Sequence, residues 1–96
     1  MNISVCKITF HLPENQSLKG KRRVINSLRS RIHNKFNVSI AEVDDHDSWQ
    51  MATLGITCVG NNSRHTDDVL SSVLAFIEQS REDIAVVSQE QEILSG

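Results

Sequence analysis

The sequence predicts an α+β domain in which a four-stranded antiparallel sheet, in the spatial order 4-1-3-2, carries two helices on one face. Three observations point there. Apolar residues alternate along residues 3–12 and 51–59, two further segments repeat them at every third or fourth position, and the elements run strand, helix, strand, strand, helix, strand. Ninety-six residues with 39% apolar content suit one hydrophobic core, so a single domain over 1–96 is expected.

In the first strand Cys6, Ile8, Phe10 and Leu12 share a face on which Ser4 is the polar member, while Ile3, Val5, Lys7, Thr9 and His11 take the other. Pro13 ends it, because proline cannot donate to the ladder. Ser17 reads as the N-cap of a helix over Leu18–Lys35, with Val24, Ile25, Leu28, Ile32 and Phe36 on one stripe. Gly20 falls in its first turn, where glycine costs less than the ~1 kcal/mol of a helix interior. The next extended run, Val38–Val43, shifts its apolar phase between Ile40 and Ala41. Either both faces are partly covered or a bulge re-aims the strand. A polar loop, residues 44–48, leads into Met51–Val59, whose Ala52, Leu54, Ile56 and Cys58 share a face, so the two runs form a hairpin.

Residues 60–63 read as a turn with a helix cap. Asp67 and Asp68 are expected in the first turn of a helix running from about Ser63 or Arg64 to Ser80, and Val69, Leu70, Val73, Leu74 and Ile77 form its buried stripe. Residues 81–83 turn the chain into Ile84–Val87, which grows polar through Glu92 and is read as a strand with a solvated end or tail. The order is that of the split βαβ, or ferredoxin-like, fold. Right-handed crossovers place the first and third strands at the centre.

No window approaches the about 18 to 20 apolar residues of a membrane helix, and Met1-Asn2-Ile3-Ser4 lacks a signal-peptide pattern, so no membrane association and a cytoplasmic location are expected. Cys6 and Cys58 make no disulfide framework and read as buried thiols on neighbouring strands.

The net charge of −2 hides an asymmetry. Between Asn15 and Ala41 stand Lys19, Lys21, Arg22, Arg23, Arg29, Arg31 and Lys35 with no acid, whereas eleven of the twelve acids lie from Glu42 onward. Four cations in the first turns oppose the partial positive charge of a helix N-terminus, and a broken local rule directs attention to binding. Lys19, Lys21, Arg22 and Arg23, with Arg29 in support, are therefore candidates for holding a phosphate or an RNA backbone. Lys21 shares the side of Ile25 and Leu28, so it meets either a carboxylate of another loop or an external anion. The balanced overall charge argues against indiscriminate nucleic-acid binding.

A second candidate site comprises Glu42, Asp44, His46, Asp47, Trp49 and Gln50. Asp with His can bind a divalent cation or form an oriented general base, yet the spacing matches no metal loop and contains no His-Glu-x-x-His. The reading is a capped polar hairpin with Trp49 packed beneath it. Nucleophile motifs and phosphate-binding glycine loops are missing, so no catalytic residue, metal or cofactor is assigned. Three function classes remain: a non-enzymatic RNA- or ribosome-binding protein, a small phosphate-anion-binding hydrolase of acylphosphatase-like architecture working through His46 and its neighbouring aspartates, and a structural or regulatory module that homodimerises through an exposed sheet edge or the open sheet face, favoured by Ile3 and Val5 on that face.

Two stretches, Ser17-Leu18-Lys19-Gly20-Lys21-Arg22 and residues 41–55 from Ala41-Glu42-Val43-Asp44 to Leu54-Gly55, resemble the YlxP-like family of small bacterial proteins across Ile3 to Glu92. The family usually carries an acid where Gly20 stands, which leaves this helix start more basic. The resemblance implies a ferredoxin-like fold without an established activity. The neighbourhood of such genes to translation and ribosome-maturation factors implies an RNA or ribosomal-subunit partner. It maps the two motifs onto Lys19, Lys21 and Arg22 and onto Glu42, Asp44, Asp47, Trp49 and Gln50, which are expected at opposite ends of the sheet.

Overall fold

The computed structural model describes residues 1–80 and 84–95. Its elements are β1 (Asn2–His11), α1 (Leu18–Lys35), β2 (Ser39–Asp44), β3 (Met51–Gly60), α2 (Ser63–Ser80) and β4 (Ala85–Ser95). All neighbouring strands are antiparallel, in the order β2-β3-β1-β4. This is the ferredoxin-like arrangement. The turn expected over residues 81–83 lies outside the described residues.

Alternation on β1 and β3 dictates which face the helices cover. Cys6, Ile8, Phe10, Ala52, Leu54, Ile56 and Cys58 are buried against Val24, Ile25, Leu28 and Ile32 of α1 and Leu70, Val73, Leu74 and Ile77 of α2. Ser4, the polar residue on that face, is fully buried and satisfied by the Thr66 hydroxyl at 2.7 Å. Phe36 closes α1 at its C-cap and meets Phe76 edge-on, with ring centroids 5.9 Å apart.

The phase shift in β2 is a bulge. Glu42 opposes Leu54 and Asp44 opposes Thr53, leaving Val43 as the additional residue. Val43 lies over Gly55, where an added Cβ would sit 2.9 Å from a Val43 methyl, so any larger residue here would push Val43 aside. A second irregularity, between Thr9 and Phe10 in the pairing with β4, skips Val87.

Three expectations change. Leu12 leaves β1 but stays buried, its N–H donating to the Gln50 carbonyl at 2.7 Å. The polar run after Val87 remains strand, because β1 pairs with it as far as Ser95. Asp67 and Asp68 do not stand in the first turn of α2: Asn62 caps the helix, its side-chain oxygen accepting from Arg64 N–H and His65 N–H, so the helix starts at Ser63 and the two acids fall one turn later.

Candidate functional site

The end of β1 abuts the start of β3, since His11 pairs with Met51. The β2–β3 loop and the start of α1 therefore emerge at the same end of the sheet. This corrects the expectation that the two motifs lie at opposite ends.

Ser17 caps α1 as its sequence predicts, its Oγ accepting from Gly20 N–H at 2.9 Å. One turn on, Lys21 is 1% exposed. Its ammonium donates to the carbonyls of Asp45 (2.7 Å), His46 (3.3 Å) and Met51 (3.2 Å), and Glu42 Oε2 lies 3.1 Å away. An ammonium has three protons, and three carbonyls take them. Glu42 Oε2 accordingly has no hydrogen-bond partner and acts on Lys21 as a neutralising charge. Of the two fates open to Lys21, the structure realises the internal ion pair, and this side chain is withdrawn from the anion-binding set.

Asn15 and Gln50 tie the motifs together from the outside. Asn15 Nδ2 donates both to the Ser17 carbonyl at 2.7 Å and to the Trp49 carbonyl, and Gln50 Nε2 donates to the carbonyls of Pro13 and Asn15, each at 3.3 Å. Within the loop Asp45 has φ 60°, a left-handed conformation that Asp tolerates better than most residues. Its backbone N–H donates to Asp44 Oδ1 at 2.8 Å, and its carboxylate accepts from Thr53 Oγ1 at 2.6 Å. Thr53 thereby uses its single proton, so the 3.0 Å contact with Thr9 Oγ1 is a donation from Thr9.

The remaining candidates divide by exposure. Lys19, Arg22 and Arg23 are exposed, and no carboxylate pairs with them among the described residues. At about 100° per residue, they and Arg29 span an arc of roughly 120° on the outward side of α1. Arg29 is half-buried, and its Nε lacks a partner. Arg31 and Lys35 lie on the flank toward α2, each over the Phe76 ring.

Asp44, His46 and Asp47 are exposed, with His46 Nε2 lying 3.3 Å from the Glu42 carbonyl. His46 Nε2 and the Asp45 carboxylate are thus engaged by separate partners within the fold, and among the described residues no three His, Cys, Asp or Glu side chains converge as metal ligands. Trp49 does not pack beneath the hairpin: it is 56% exposed, while the fully buried Lys21 braces the loop through its carbonyls. Reasoning from sequence missed Asn15, read as loop, and Thr53. An Asn two residues before a helix cap is the one available signal for the first, and nothing in the alternation of β3 signals the second.

Fold and site define a small ferredoxin-like α+β protein whose helix start and hairpin loop are fastened by a buried lysine. The chain belongs to the family described as "Protein of unknown function (DUF503)", which matches residues 3–91. It is 45% identical over 62 residues to "Uncharacterized protein YlxP" of Bacillus subtilis (strain 168), a match covering 65% of this chain and 67% of that relative. The likeness to the YlxP-like family read from the two motifs is thus shown. Among the described residues no helix is long and apolar enough to cross a membrane.

Proposed function

We propose that this protein is a non-enzymatic binding protein that holds RNA, free or within a ribosomal subunit, on the outward cations of α1. The observation that carries this reading is that Lys19, Arg22 and Arg23 stand exposed at a helix start without carboxylate partners among the described residues. Each raises the electrostatic energy of that helix end, and a phosphate offsets what no side chain here offsets. Co-sedimentation with ribosomal subunits across a salt series tests it. Three phosphate contacts on a single strand give a slope of log K against log salt of about −2. Replacing Lys19, Arg22 and Arg23 with alanine should abolish binding and its salt dependence, and failure of the wild type to bind at low salt would refute the proposal.

A second reading, self-association through the open sheet face, is favoured by one row of that face. Val59, Ile3 and Leu94 stand side by side across β3, β1 and β4, with Val59 60% and Leu94 47% exposed. Light scattering on concentrated protein decides it: a monomeric mass removes the dimer. The two readings are compatible, since α1 lies on the other side of the sheet.

A further inference from the structure

We propose that Trp49 is a stacking platform for an unpaired base, so that the nucleic acid taken at this end of the fold is single-stranded. The inference rests on the RNA-binding reading and adds to it the ligand's form and the residue that selects it.

A lone tryptophan in a domain of this size is a core residue by its chemistry, because no other side chain gains as much from leaving water. Here the indole stands 56% exposed on a loop whose backbone is fixed from several directions. Asn15 holds the Trp49 carbonyl, Lys21 the carbonyls of Asp45, His46 and Met51, and the Ser48 hydroxyl the Met51 N–H. Little freedom is left for a ligand to remove, which favours binding on the presented ring. The Trp49 and Ser17 carbonyls converge on the one Asn15 nitrogen, so the ring's backbone adjoins the turn that carries Lys19, Arg22 and Arg23. Aromatic side chains beside cations are what proteins use to take unpaired bases with their phosphates.

Charge alone is a weak attraction at this end. The same end also carries Asp44, Asp45 and Asp47, which pair with none of Lys19, Arg22 and Arg23 but lower the net charge there, and Lys21 is neutralised by Glu42. A polyanion without bases has only those three cations to bind. A base gains stacking, which salt does not screen. A duplex keeps its bases in its own stack and offers the indole no face.

Trp49 is the chain's one tryptophan, so its intrinsic emission reports on the site directly. The intact protein is titrated with fluorescein-labelled oligoadenylate, a duplex RNA of equal length and inorganic polyphosphate, with oligonucleotide binding read by anisotropy and Trp49 contact by emission. The expected result is saturable quenching by oligoadenylate alone. Trp49→Leu, which keeps an apolar side chain but no aromatic face, should weaken oligoadenylate binding about tenfold or more, and Trp49→Phe should retain most of it. Oligoadenylate binding that is unquenched and equal in Trp49→Leu overturns the stacking role and leaves the cationic site standing. Equal affinity for duplex overturns the single-strand selection. Absence of any RNA binding overturns this inference together with the reading beneath it.

Discussion

Replacing Lys21 with methionine keeps the buried stem and removes the charge, which isolates the work of the ammonium. The Asp45 carbonyl keeps a second donor, Ser48 N–H at 3.1 Å, whereas the His46 and Met51 carbonyls lose theirs. Glu42, 20% exposed, is left as a largely desolvated carboxylate. Removing one member of a buried pair costs about 3–5 kcal/mol, and the partial exposure of Glu42 sets the expectation near the lower end. Relief of the helix end returns ~0.3–1 kcal/mol, so a net loss of about 3 kcal/mol is expected in urea unfolding, from a total of about 5–15 kcal/mol for a domain. Glu42→Gln alone should cost only about 1 kcal/mol, since the carbonyls already take the three protons. The pair Lys21→Met with Glu42→Gln should be more stable than Lys21→Met, because the stranded carboxylate is gone. A Lys21→Met loss below about 1 kcal/mol, or a double variant worse than the single, would refute this account of the site.

Four further outcomes are expected. Thr66→Val leaves the buried Ser4 hydroxyl without its 2.7 Å partner and should cost about 1–3 kcal/mol in denaturant unfolding, while Ser4→Ala with Thr66→Val should recover most of it. Asp45→Ala should cost about 2 kcal/mol, since Thr53 loses its acceptor and keeps only the Thr9 hydroxyl and alanine disfavours the φ of 60° at position 45, and Asp45→Asn about half that, because an amide oxygen still accepts and Asn tolerates the conformation. Gly20→Ala places a Cβ against Asn15 Oδ1, so any helix gain should be lost with the Asn15 bridge, and amide exchange of residues 45–50 should accelerate. Burial pushes the Cys6 and Cys58 thiols above the ordinary 9.0. The folded chain then keeps protons that the unfolded chain releases, so urea midpoints should hold below pH 9.0 and fall above it, less so in Cys6→Ala with Cys58→Ala.

What the sequence makes legible follows from periodicity. The alternation of Cys6, Ile8 and Phe10 and of Leu54, Ile56 and Cys58, with the stripes from Val24 to Ile32 and Leu70 to Ile77, determines which faces meet, and element order with crossover handedness does the rest. Periodicity says nothing about backbone acceptors. The partners of Lys21 are three carbonyls brought to it by the loop's own turn, and a carbonyl has no signature in side-chain identity. Trp49 shows the converse: hydrophobicity predicts burial, yet the indole stands 56% exposed on a loop that the buried Lys21 braces. The shared end of the two motifs was readable from topology, because antiparallel neighbours place the end of β1 beside the start of β3.

The basic helix start breaks the dipole rule four times, and the four violations are not alike. Lys21 is compensated within the fold: its charge is met by Glu42 and its protons by carbonyls, and the same contacts hold the loop in place. Lys19, Arg22 and Arg23 gain nothing comparable, since their stems lie in solvent and no acid among the described residues faces them. A cation that stabilises its own fold explains itself, whereas three that do not are explained by something outside it. The separation is experimentally sharp. Changing Lys21 should alter stability first and binding only through the loop, while changing the other three should leave the urea midpoint within ~0.5 kcal/mol of the parent or raise it, and act on binding alone.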